Sequence, residues 1–203
     1  MRVAKKLHLD GVNLRPKLIA AFVIVALLVA VTGALGYMSV GELDNEAQHI
    51  GQEGENVDNT MEMLVAIEQQ QSAVRAAQLD QPDARDSYQD AAASFEEFSS
   101  ALTPDSEEAT AEKEELVTTH EEYNALGSEY FEAREAGNEE LATQKLAEMN
   151  TLRTDMEEQA HTLEETIIAD KEAQVTHAAQ LAQSTQMEML GLTLVAFVLA
   201  VGI

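Results

Sequence analysis

Apolar residues follow three patterns along this chain. From Leu18 to Val40 they run almost without interruption, 23 residues with no charge and no proline. From Leu43 to about Ile167 they recur every three or four positions, the spacing of one face of a helix. From Met189 to Ile203 a second uncharged run of 15 residues appears. At about 1.5 Å per residue the first run makes about 34 Å of helix, enough to cross a hydrocarbon layer of about 30 Å. Lipid offers the backbone no hydrogen-bond partners, so only a helix serves there. The second run is expected to be another span, cut short where the sequence stops.

The periodic middle predicts four helices. Leu43, Ala47, Ile50, Gly54, Val57, Met61 and Leu64 alternate at four and three, the seam of a first helix over about 41–80. Gly51 and Gly54 weaken it locally. Asp80-Gln81-Pro82-Asp83 ends it. A second helix, 83–101, carries Tyr88, Ala91, Phe95, Phe98 and Leu102 as its stripe. After Pro104, either Asp105 or Ser106 caps a third helix over 106–136, with Glu107 and Glu108 suited to its first turn. Leu116, His120, Tyr123, Gly127 and Tyr130 are its stripe. Gly137 or Asn138 supplies a left-handed cap. A fourth helix, 139–188, carries Met149, Leu152, Met156, Leu163 and Ile167 and meets no break before the second apolar run. Rises of about 62 and 46 Å nearly cancel returns of about 28 and 72 Å. The fold expected is all-α: an antiparallel up-down-up-down four-helix bundle flanked by two transmembrane helices. The expected domains are a basic leader (1–17), a first span (18–40), the bundle (41–188) and a truncated second span (189–203).

Charge orients this arrangement. Arg2, Lys5, Lys6, Arg15 and Lys17 precede the first span against a single acid, Asp10. Positive flanks stay cytoplasmic, which places the N-terminus inside the cell membrane and the bundle outside. A cleaved signal peptide, with Ala30 to Ala34 as its small-residue cleavage region, is the alternative. Ala26, Ala30 and Ala34 are spaced by four and form a small-residue face suited to helix packing in lipid. The chain holds 37 acids against 12 lysines and arginines, a net charge of −25. That balance resembles a halophilic surface, whose self-repulsion molar salt screens within about 3 Å. It argues against nucleic acid as a partner and against a peripheral grip of the outer domain on anionic lipid. With no cysteine, thiol catalysis and cysteine metal sites are excluded.

The stretch Leu14-Arg15-Pro16-Lys17-Leu18 with the apolar run through Asp44 resembles the first membrane helix of methyl-accepting chemotaxis receptors and related sensor kinases. SAVRAAQL (Ser72–Leu79), the break at Gln81–Asp83 and the long last helix resemble their sensor domain. Haloarchaeal transducers, including those paired with sensory rhodopsins, are similar in layout. The resemblance implies a homodimeric receptor. It also implies a second span leading to a HAMP linker, and a cytoplasmic kinase and adaptor reached through a part not in this sequence. A small-molecule ligand or a membrane photoreceptor would be the signal source.

Candidate chemistry is sparse. The distal end of the first seam turns polar at Glu68, Gln71, Arg75 and Gln78. An arginine there can hold a carboxylate through paired donors. Residues at matching height on the fourth helix are Asn150 and Arg153, so the candidate ligand site is Arg75, Gln71, Asn150 and Arg153. Glu46-x-x-His49 and Glu158-x-x-His161 mimic di-iron ligand pairs, but about 22 Å of helix rise separates their histidines. No metal site and no cofactor is expected. His120 is expected to be a satisfied core histidine. No phosphate loop or nucleophile elbow occurs, and no enzymatic activity is expected.

Overall fold

The computed structural model describes residues 14–202. The chain is all-α, and among the described residues there are four helices and no strand. They are α1 (Leu14–Gln78), α2 (Ala84–Ala101), α3 (Glu107–Glu135) and α4 (Glu139–Gly202). The basic residues Arg2, Lys5 and Lys6 of the expected leader, and Asp10, lie outside the described residues.

The breaks have local causes. At the end of α1 the Gln81 amide donates to the Ala76 carbonyl and the Asp80 amide to that of Ala77, closing the helix with Asp80 left-handed at φ 52°. The end of α3 repeats this geometry. Asn138 N–H reaches Ala133 and Gly137 N–H reaches Arg134, with Gly137 at φ 70°. Ser106, one of the two expected caps, accepts from the Ala109 amide at the start of α3. Asn138 does the same for Leu141 at the start of α4.

The chain divides into two compact units, residues 48–175 and residues 1–47 with 176–203. The division falls inside the expected 41–188 domain, grouping the ends of that segment with the apolar runs. In the unit holding the apolar runs, Val25, Leu28, Thr32, Gly36, Ser39, Leu43 and Glu46 are the half-buried positions of α1 among those described. Ala178, Leu181, Thr185, Met189, Leu192 and Ala196 are those of α4. A Cβ on Gly36 would lie 2.8 Å from Met189 Cε, so a glycine is what lets this methionine approach. Among the described residues one helix, α1, is long and apolar enough to cross a membrane, its most apolar window having a mean hydropathy of 2.3 and no buried residue.

The unit of residues 48–175 holds one apolar core. Tyr88 and Phe95 of α2, Leu116, Tyr123 and Tyr130 of α3, and Met149, Met156, Leu163 and Ile167 of α4 fill it, as their spacing predicts. Phe98 and Leu152 are half-buried beside it. Helix α1 departs from its predicted seam. Ala47 and Met61 are exposed, and Gly54, Val57 and Leu64 are only half-buried. The buried row is instead Glu53, Asn56, Thr60, Met63, Ile67, Gln70, Val74 and Ala77. Four of these are polar, so apolar spacing selects the wrong face. Their burial is sustained by hydrogen bonds, without which each would cost about 1–3 kcal/mol.

Candidate functional site

The buried polar positions of α1 fall into two groups. The lower group grips the connection between α2 and α3. The Asn56 amide accepts from Thr103 N–H at 3.0 Å and donates to the Thr103 carbonyl at 3.0 Å and to Glu53 Oε2 at 3.0 Å. Glu53 Oε1 accepts from Asp105 N–H, and Gln52 Nε2 donates to Thr103. These side chains stand in for the backbone ladder that a connection lacks. At the margin, His49 Nδ1 lies 3.0 Å from Asp105 Oδ2, which also accepts from Gln174.

The upper group is a closed ring. His120 Nε2 is 3.0 Å from Gln70 Oε1, Gln70 Nε2 donates to Asn124 Oδ1 at 2.7 Å, and Asn124 Nδ2 is 3.3 Å from His120 Nδ1. His120 is 2 % exposed and stacks on Phe95 with ring centroids 3.6 Å apart. Burial pushes its pKa down to about 4, which keeps the imidazole neutral. The Tyr88 hydroxyl lies 3.2 Å from both Asn124 Oδ1 and the Tyr123 carbonyl, which share its one proton. Burial, then the Tyr123 phenol, raises the Tyr88 hydroxyl far above its ordinary range. Burial also lifts Tyr123 to about 12, against Arg153, which lowers it.

The expected ligand residues fall into two separate pairs. Arg75 is exposed and donates to Gln71 Oε1 at 2.8 Å, one turn earlier on the same helix. Asn150 is exposed, and Arg153 pairs with Glu157 on its own helix. Among the described residues no hydrogen bond or ion pair joins Arg75 or Gln71 to Asn150 or Arg153. Ala26, Ala30 and Ala34 are exposed, on a different face from the half-buried row of α1. The histidines of the two Glu-x-x-His pairs have different neighbours, Asp105 for His49 and Glu164 for His161.

Among the open clefts on the described surface of this unit, two flank α3. One of about 620 Å³ lies between α3 and α4, with Glu112, Glu115, Glu122, Asp155 and Glu158 in its wall. A lining of this sign attracts cations and repels anions. The other, about 230 Å³ between α2 and α3, reaches Tyr88 and Asn124 at the edge of the ring. The residues that sequence reasoning missed are Glu53, Asn56, Gln70 and Asn124. Their signal was present for the α1 members: 53, 56, 60, 63, 67, 70, 74 and 77 keep strict heptad spacing once polar residues are admitted to the seam.

No protein family matches this chain, and no curated protein or solved structure is similar to it.

Proposed function

We propose that this chain is the sensory part of a membrane receptor of the chemotaxis-transducer type. In this reading α1 and α4 each enter the membrane through their apolar runs, with the N-terminus cytoplasmic. The segment between them is an extracellular up-down-up-down bundle. A signal received outside passes down α4 to a kinase and adaptor on the inner side. The observation that carries this is α4 itself. One helix, Glu139–Gly202, holds core positions from Met149 to Ile167 and the uncharged run beyond Met189 without a break. A change in core packing therefore has a stiff element along which to travel.

The receptor works as a homodimer. Met61, Val65 and Leu79 of α1 are exposed large apolar residues at heptad-compatible spacing, and a second copy is the surface that would cover them. Arg75 is exposed on this side of α1 with Gln71 half-buried beside it, so a carboxylate ligand meets them from outside the chain. Asn150 and Arg153 would have to come from elsewhere in the dimer. A sensor kinase of the same layout fits equally. A second reading draws on the exposed Ala26, Ala30 and Ala34: a membrane partner such as a photoreceptor docks there, and the outer segment is then structural.

The test is a thermal-shift screen of the whole chain in lipid discs and molar salt, against amino acids, organic acids and osmolytes. A ligand at 100 times its dissociation constant adds about 2.7 kcal/mol. A hit that Arg75→Ala removes supports the ligand reading. A folded dimer with no hit, or signalling that survives a helix-breaking insertion near Ala178, counts against it.

A further inference from the structure

We infer that the Gln70–His120–Asn124 ring is a proton-sensitive clasp between α1 and α3. This goes beyond the receptor reading and does not rest on it. Each of the ring's three edges needs one donor facing one acceptor. The two amides each bring one of both kinds, and so does a neutral imidazole. The ring closes in either sense, whichever nitrogen carries the proton. An imidazolium brings two donors. Gln70 already turns its oxygen toward Nε2. If Asn124 keeps its place, its NH2 group faces the Nδ1–H. If Asn124 turns its oxygen there, its NH2 group faces that of Gln70. One edge opens in every case.

The surroundings offer the extra charge nothing. His120 is 2 % exposed, so water does not reach the imidazole without movement of the helices. From α1 it faces the neutral Gln70, and from α2 the Phe95 ring, with the Tyr88 hydroxyl beyond. On α3 its neighbours are Tyr123 and Asn124. The nearby charges from α4, Arg153 and Glu157, act on Tyr123. No carboxylate bonds to His120 among the described residues. The Tyr88 hydroxyl, whose one proton is shared between the Tyr123 carbonyl and the Asn124 oxygen that accepts from Gln70, favours the observed placing of that amide. Within the ring the bonds to α1 are those of Gln70. Parting them is what lets water reach a buried imidazolium that has one edge unmade and no counter-charge, so protonation loosens α1 at this level.

Hydrogen exchange on the whole chain in lipid discs and molar salt tests this. An opened clasp titrates near the ordinary 6.5 and a closed one near 4. The opening constant then rises about 30-fold between pH about 7.5 and pH about 5. Amides of residues 66–74, corrected for intrinsic rate, should lose protection by that factor. His120→Gln, whose amide supplies one donor and one acceptor, should show no such loss. Gln70→Glu, which sets a carboxylate against the imidazole, should keep its protection in acid. Unchanged wild-type protection at pH about 5, or an equal loss in His120→Gln, overturns the proposal. If His120→Gln does not fold, the ring carbon shift of His120 in the wild-type chain decides, and a midpoint near 6.5 in the folded state overturns it.

Discussion

The Tyr88 hydroxyl fills the place of a side chain at residue 127. A Cβ on Gly127 would lie 2.3 Å from Tyr88 Oη and 2.5 Å from Cζ. Glycine inside a helix costs about 1 kcal/mol relative to alanine, so Gly127→Ala would stabilise α3 if space allowed. Space does not allow it. Gly127→Ala should lower stability by about 1–3 kcal/mol, read as a fall in the denaturation midpoint. Tyr88→Phe should not rescue it, because Cζ remains in the way.

Gly51 gives the opposite sign. No atom lies within 4 Å of a Cβ built there, and the residue is exposed on α1. Gly51→Ala should raise stability by up to about 1 kcal/mol through helix propensity alone. The pair of substitutions, measured side by side, separates backbone cost from packing.

Removing the Asn56 side chain should be expensive for its size. Thr103 N–H would lose its part-buried acceptor and the buried Glu53 a donor. Asn56→Ala should cost about 2 kcal/mol or more, and amide exchange at Thr103 should accelerate far beyond that at surface positions.

Acid should destabilise the folded chain through His120. Its pKa is pushed down to about 4 from the ordinary 6.5, so the unfolded state takes up a proton first as pH falls. This contribution is intact above pH 6.5, declines toward pH 4 and is constant below that, amounting to about 3 kcal/mol in full. The stability difference between wild type and His120→Gln should therefore shift across this window and at no higher pH.

Salt should act in the stabilising direction. With a net charge of −25, the folded chain carries strong self-repulsion. Raising ionic strength from about 0.1 M to about 1 M shortens the screening length from about 10 Å to about 3 Å, and the thermal midpoint should rise throughout.

The breaks between helices were legible because their chemistry is local. Pro82, Pro104, Ser106 and Gly137 act on their own neighbours. The stripes of α2, α3 and α4 were legible because their buried positions are mostly apolar. Helix α1 was misread in register because Glu53, Asn56, Thr60 and Gln70 sit where apolar residues were sought. What makes them core residues is a partner far along the chain: Thr103 for Asn56, Asn124 and His120 for Gln70. Spacing within one helix carries no record of that. For the candidate ligand residues, equal height along two helices says nothing about facing direction: Arg75 is exposed and bonds Gln71 on its own helix.

The two-way bond between Asn56 and Thr103 has a mechanical consequence. A slide of α1 by one residue is about 1.5 Å. That exceeds what a short asparagine amide, holding both N–H and C=O of one peptide, can follow. Beside its ion pairs with Glu129 and Arg134, α4 makes links of another kind: Gln159 to Glu115, Thr166 to Glu112 and Gln174 to Asp105. Most of these join long, partly exposed side chains whose torsions absorb such a step. By these hydrogen bonds, resistance to an axial slide is therefore unequal, firmer at Asn56 of α1 than at Gln159, Thr166 and Gln174 of α4.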